Sequence, residues 1–291
     1  MLTEDLMREV RRLQVRTRRR VEGLFAGEYH SAFKGRGIEF AEVREYEAGD
    51  DVRSIDWNVT ARAGRPFIKR FIEERELTVM LVVDMSRSGA FSTSAKDKSR
   101  VAVELSAVLA LAAVQNNDRV GLLIFTDRVE LFLPPKKGRN HVLRVLRELL
   151  NFEPRGTGTV LAGALDHVGR LLKRRSVVFV VSDFVAPDFD QPLRLIGRKH
   201  EVIAVSVSDP RERHLPAAGL VELLDAESGQ RIVLDTSSRR QRAEFARLAE
   251  RDDEVLSRLL AKAKVDRIRV STEKPFVPEL MRYFRVRERR R

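Results

Sequence analysis

Long apolar runs set apart by polar, periodic segments give this chain its rhythm. Leu77 to Val83 is an apolar run interrupted only by Thr78, the pattern of a strand buried on both faces of a sheet. Val177 to Val181 and Glu201 to Val207 repeat it. Residues 97–115, 139–151, 160–173 and 189–198 read instead as helices. Arg119 to Phe125 and Val129 to Leu133 read as strands joined only by Thr126-Asp127-Arg128. That link is too short for a crossover, so this pair is predicted antiparallel. Strands alternating with helices of this length predict βαβ units in an α/β fold. The sheet is expected to be doubly wound and mostly parallel, with helices on both faces.

The flanks have other rhythms. Leu2, Leu6, Val10, Leu13, Val21 and Leu24 fall at roughly helical spacing with Arg between them, predicting an amphipathic helix over residues 2–26. Between residues 35 and 76, Gly35, Gly37, Gly49 and Gly64 punctuate short runs, which predicts a small β-rich subdomain. Gly219 to Leu224 and Gln230 to Leu234 read as a hairpin. Residues 237–263 read as a long charged helix, Val265 to Val270 as a strand, and Pro278 to Tyr283 as a short last helix. Four segments follow: a basic N-terminal helix at 1–34, the β-rich subdomain at 35–76, the main α/β domain at 77–208, and a C-terminal extension packed on it at 209–291.

Charge changes the picture mainly through its location. The formal net charge is +12 over 291 residues, yet residues 1–20 alone carry seven Arg against three acids. Residues 282–291 carry six Arg against Glu288, so the body between these ends is close to neutral. A nucleic-acid-binding face more often lies within the folded body. Arg-rich ends hold acidic or phosphate-rich partners weakly and in a salt-dependent way. With no Cys there is neither a disulfide nor a thiolate ligand. The longest nearly apolar stretch, Val101 to Val114, is too short to span a bilayer and contains Glu104. Residues 1–20 show no apolar signal-peptide core. The expected location is therefore cytoplasmic, with peripheral contact to an anionic membrane left open.

The candidate chemistry gathers where the strands end. Asp84-Met85-Ser86-Arg87-Ser88-Gly89 follows the first buried strand, at the carboxyl edge where open α/β sheets bind ligands. Alternation lets one turning loop aim the Asp84 carboxylate and the Ser86 and Ser88 hydroxyls at one point. These hard oxygen ligands suit Mg²⁺ or Mn²⁺ and not zinc or copper. Gly156-Thr157-Gly158-Thr159 opens a helix, where a Thr either caps it or offers a hydroxyl. Ser182-Asp183 ends another buried strand and brings a second carboxylate to the same edge. Each segment alone also reads as an ordinary turn or cap, but the three recur in order along one edge.

These residues carry a resemblance. Asp84-x-Ser86-x-Ser88, the Gly158-Thr159 turn leading to Ala164-Leu165, and Ser182-Asp183 resemble the metal-ion-dependent adhesion site of von Willebrand factor A domains. The resemblance implies a von Willebrand factor A-like fold over residues 77–208. It also implies a metal whose open position is filled by an acidic residue of a protein partner. By its spacing to Ala164-Leu165 it favours Thr159 over Thr157. A second resemblance spans most of the chain. Phe40-Ala41-Glu42-Val43-Arg44-Glu45-Tyr46-Glu47-Ala48-Gly49-Asp50-Asp51-Val52-Arg53-Ser54-Ile55-Asp56-Trp57 and Ala61-Arg62 are similar to the hallmark of the bacterial family called domain of unknown function fifty-eight. Ser208-Asp209-Pro210-Arg211-Glu212 and Leu224-Asp225-Ala226-Glu227-Ser228-Gly229 are similar to its C-terminal signature. This resemblance implies a partnership with a MoxR-type AAA+ ATPase or its client. Many of its members carry N-terminal transmembrane helices.

The hallmark alternates Arg44, Arg53 and Arg62 with acids, which reads as a surface ion-pair network, or alternatively as a partner-binding face. Trp57, the sole Trp, is expected to anchor a core. His30, His141, His167, His200 and His214 all fall outside the three site segments, and neither a phosphate loop nor a nucleophile elbow is present. The expected function is thus binding, not catalysis: an adaptor holding Mg²⁺ or Mn²⁺ on Asp84, Ser86, Ser88, Thr159 and Asp183. The alternatives are a metal-dependent phosphatase or nuclease on Asp84 and Asp183, and nucleic-acid binding through the Arg-rich ends.

Overall fold

A computed structural model of the protein describes residues 24–33, 39–72, 76–90, 97–224 and 229–290. Two compact units emerge, Phe33–Glu76 and the rest of the chain. All but the end of the N-terminal helix expected over residues 2–26 lies outside the described residues. A helix, α1 (Leu24–Phe33), begins where the expected one stops.

The smaller unit joins a strand pair to one short helix. Strand β1 (Glu39–Glu45) pairs antiparallel with β2 (Phe67–Ile72), but α2 (Trp57–Ala63) lies between them in sequence. The sequence reading of this segment as β-rich missed α2 because its ends, not its periodicity, define it. The Asp56 carboxylate accepts hydrogen bonds from Asn58 N and Val59 N, an N-terminal cap. Gly64, at a φ of +72°, closes the helix in the left-handed conformation that glycine adopts without a Cβ clash.

In the larger unit the runs Leu77 to Val83, Val177 to Val181 and Glu201 to Val207 become strands. The described elements are β3 (Thr78–Asp84), α3 (Lys98–Gln115), β4 (Arg119–Phe125), β5 (Val129–Lys136), α4 (Arg139–Leu150), α5 (Leu161–Leu171), β6 (Val177–Ser182), α6 (Asp190–Lys199) and β7 (Glu201–Ser208). There follow β8 (Leu220–Leu224), β9 (Arg231–Asp235), α7 (Arg239–Lys262), β10 (Asp266–Ser271) and α8 (Val277–Arg289). The sheet order is β10-β7-β6-β3-β4-β5, parallel throughout except for β5, whose three-residue link to β4 enforces the antiparallel pairing. Strands β8 and β9 form the separate antiparallel pair expected from the sequence.

Both faces of the sheet are covered. Met80, Val82, Leu123, Phe125, Val178 and Val180 pack against α5, α6 and Leu260 of α7. On the other face α3 packs on β3, β4, β6 and β7 and is buried over most of its length. Each fully buried Val or Leu contributes about 1.5–3 kcal/mol, so this double-sided burial dominates the stability of the unit.

The arginines from Arg282 to Arg289 belong to the packed helix α8. The short helix expected at Pro278 to Tyr283 continues to Arg289 because Leu280 and Phe284, one turn apart, are both fully buried. Within it Arg287 pairs with Glu201 and Asp266 and donates from Nε to the Ala32 carbonyl at 2.9 Å. Arg285 reaches Glu28 of α1 at 2.7 Å. No helix among the described residues is long and apolar enough to cross a membrane.

Candidate functional site

The central strand delivers Asp84 to the carboxyl edge of the sheet. Its carboxylate is buried, and Oδ1 accepts from Ser86 N at 3.0 Å, which turns the chain immediately after the strand. The turn sets Ser86 Oγ and Ser88 Oγ 3.0 Å apart. Gly89 N then donates to the Ser86 carbonyl at 3.1 Å, and a Cβ at position 89 would lie 2.3 Å from Ser99 Oγ. Glycine at 89 leaves room for the Ser99 hydroxyl, which a larger residue would force to rotate away.

Two further segments reach the same edge. At the end of β6 Ser182 Oγ donates to Asp84 Oδ2 at 2.6 Å and accepts from Phe184 N at 3.0 Å. Phe184 sits at a φ of +62°, a left-handed conformation that reverses the chain beside Asp183. Val185 N donates to Asp183 Oδ1 at 3.1 Å. Beyond β4, the loop before α5 is pinned by Val160 N on the Thr126 carbonyl at 2.8 Å and by Gly156 N on Glu130 at 2.7 Å. Thr159 on this loop is buried, whereas Thr157 is exposed.

Asp84, Ser88 and Asp183, with Ser182 and Lys98, line one cavity of about 20 Å³, room for a single water-sized occupant. Ser86 adjoins it through its hydrogen bond to Ser88. Thr159 is not among the lining residues. Burial, reinforced by the negative charge of Asp183, raises the Asp84 carboxyl to about 6 against hydrogen bonds from Ser182 and Ser86. The uncharged hydroxyls thus surround a carboxylate that a cation would stabilise.

Three further residues organise the site, and of these only Lys98 lies outside every motif read from the sequence. Ser182 orients Asp84 directly. Lys98 of α3 is buried, and its Nζ donates to Asp183 Oδ2 at 2.8 Å and to Glu212 Oε1 at 2.6 Å. Glu212 follows β7 in the turn of the C-terminal signature. Both oxygens of Asp183 therefore have protein donors, one from Val185 N and one from Lys98.

Among the described residues no group of three or more His, Asp or Glu side chains is arranged to hold a metal by itself. The hydroxyls matter for that reason. Cis ligands of an octahedral Mg²⁺, at 2.0–2.1 Å from the ion, lie about 3.0 Å apart. The separation of Ser86 Oγ from Ser88 Oγ is the same. Two of the oxygens expected to bind a metal, Ser86 Oγ and Ser88 Oγ, thus stand at a spacing compatible with a small hard cation.

The arginines of the smaller unit divide. Arg44 Nη2 reaches Asp50 at 2.7 Å, and its Nη1 lies 3.7 Å from Glu47. Arg53 and Arg62 are exposed, with no ion pair to another described residue. Trp57 is 70% exposed and anchors no core, contrary to expectation. It is the first residue of α2, just past the Asp56 cap. The site also has no histidine: His141 bonds the Val120 carbonyl at 2.9 Å, and His167 stacks edge-on against Phe132.

Comparison with known proteins adds the following. An uncharacterized protein of Mycobacterium tuberculosis (Rv1480) is 34% identical over 285 residues, covering 96% of this chain and 89% of the relative. Solved structures similar to this chain include BatB from Bacteroides thetaiotaomicron (15% identity, TM-score 0.47, covering 74% of this chain and 100% of that one). A von Willebrand factor type A protein from Catenulispora acidiphila is also similar (12% identity, TM-score 0.42, covering 73% and 42%). Residues 42–255 match the family described as "Protein of unknown function DUF58". The chain belongs to that family.

Proposed function

We propose that this protein is a metal-dependent protein-binding adaptor that works by contact and not by catalysis. Mg²⁺ or Mn²⁺ is held by Asp84, Ser86 and Ser88, with Thr159 as a further hydroxyl from the loop before α5. Asp183 sits in the outer layer of the site. The ion would supply an open coordination position, which an acidic side chain of the partner fills. The partner in this reading is a MoxR-type AAA+ ATPase or its client.

The observation that carries the reading is the 3.0 Å hydroxyl pair beside the buried Asp84 carboxylate at the strand ends. Its chemistry favours adhesion over hydrolysis. A hydrolase would need a base beside the ion, and the nearest second carboxylate, Asp183, is occupied by Lys98 and Val185 N.

A binding assay with the purified MoxR-type ATPase of the same organism tests this. Wild type is expected to bind in millimolar Mg²⁺ and to let go in EDTA, while Asp84→Ala fails to bind in either. Equal binding by Asp84→Ala, or binding indifferent to EDTA, would remove the site from the interface.

A further inference from the structure

Lys98 is an unusual occupant of a cation site. Its side chain is only 5% exposed, and Asp183 is similarly enclosed. Lysine is seldom buried so completely unless paired, and here it pairs twice. Glu212, the second partner, is held in place by the family's C-terminal signature. Its Oε2 accepts from Asp209 N at 2.8 Å, while the Asp209 carboxylate accepts from Arg211 N at 2.9 Å and from Thr272 Oγ1 at 2.8 Å. The turn Ser208-Asp209-Pro210-Arg211-Glu212 thus presents one carboxylate oxygen to one ammonium. Lys98 in turn lines the cavity that Asp84, Ser88 and Asp183 share.

Two carboxylates, Asp183 and Glu212, therefore hold the Lys98 ammonium, and Asp84 shares the same cavity. From this arrangement we infer that Lys98, clamped by Glu212, is a built-in countercation that competes with the divalent ion for Asp183. It keeps Asp183 out of the metal's direct coordination and sets the resting metal affinity low. An arriving acidic side chain from a partner then completes a shell the protein leaves short. The inference rests on the metal-site reading above and deepens it: Lys98 is a positioning residue that tunes affinity without touching the ion. The physical ground is simple. An ammonium hydrogen-bonded to a carboxylate neutralises much of the field that would attract a second cation to it.

The test is Mn²⁺ binding to the full chain, read by electron paramagnetic resonance of the free ion. Lys98→Met is expected to tighten binding by on the order of tenfold or more, as loss of a neighbouring like charge should. Lys98→Met/Glu212→Gln serves as a second variant, because it removes an acid together with the lysine and spares the fold an unpaired carboxylate. In an Asp183→Asn background the gain from Lys98→Met should largely vanish, since the competition runs through Asp183. An undiminished gain in that background would reduce Lys98 to a distant repulsive charge and overturn the inference. Equal, measurable affinity in wild type and both lysine variants would overturn it while leaving the metal site standing. No binding to any variant would overturn both.

Discussion

Two charged clusters flank the turn after β7, and they are built with opposite signs. At one, the Asp253 carboxylate of α7 is surrounded by Arg213, Arg267 and Arg269, at 2.8, 2.8 and 3.2 Å. At the other, the Lys98 ammonium meets Asp183 and Glu212, with Asp84 beyond. Neighbouring residues of one turn serve both, Glu212 the second and Arg213 the first. The first cluster has cations to spare and hydroxyls that finish its geometry, such as Ser257 accepting from Arg267 Nη1 at 2.9 Å. Burial alone would raise the Asp253 carboxyl, but the guanidiniums of Arg267 and Arg213 hold it below its usual range. The second cluster has carboxylates to spare, and its Asp84 is pushed up. A cluster satisfied from within braces the fold. A cluster with unspent negative charge and adjacent hydroxyls is poised for a cation from outside.

The sharpest break between the two should be in stability. Asp253→Ala strands the largely buried Arg267, and losing one partner of such a pair costs about 3–5 kcal/mol. Chemical denaturation should show that loss equally in EDTA and in Mn²⁺. A metal-dependent loss would mean the brace and the site are not separate.

A smaller effect concerns pH. Burial raises the Asp118 carboxyl to about 6, against hydrogen bonds from Leu77 N and Tyr29 Oη. Between about pH 4 and 6 the folded protein therefore holds a proton that the unfolded chain has lost. Stability from this group is present below that window and falls as pH rises through it. Relative to Asp118→Asn, wild type should lose at most about 3 kcal/mol from pH 4 to pH 7, the value of a two-unit shift. A flat difference across that range would contradict the assignment.

The smallest effect should come from the other unit. Trp57→Ala is expected to change stability by less than about 0.5 kcal/mol, as for any surface substitution. A large loss in denaturation would mean that Trp57 anchors a core after all.

The contrast also shows what was legible in the sequence. The sheet was, because Leu77 to Val83, Val177 to Val181 and Glu201 to Val207 are apolar enough to demand burial on both faces. The site segments at Asp84, Thr159 and Asp183 were legible as strand ends and helix starts, since the fold places such residues at one edge. Lys98 was not. Its neighbourhood, Lys96-Asp97-Lys98-Ser99-Arg100, reads as a solvated face, and its partners lie 85 and 114 residues away in the chain. Helix α2 was hidden similarly, because a cap at Asp56 and a left-handed Gly64 define it without an apolar stripe. The last helix was legible only in part: Pro278 to Tyr283 reads as a short helix, and the buried Leu280 and Phe284 fasten its continuation to Arg289.

The most direct test of the central claim is thermal unfolding of wild type and Asp84→Asn near pH 7, in EDTA and then in millimolar Mn²⁺. A ligand that binds only the folded state raises its apparent stability. In EDTA the variant should be the more stable protein, by up to about 3 kcal/mol, because it removes a buried charge held near 6 in the wild type. Adding Mn²⁺ should raise the melting temperature of wild type and leave Asp84→Asn unmoved. An equal rise in both proteins would show that the ion binds elsewhere and would contradict the account.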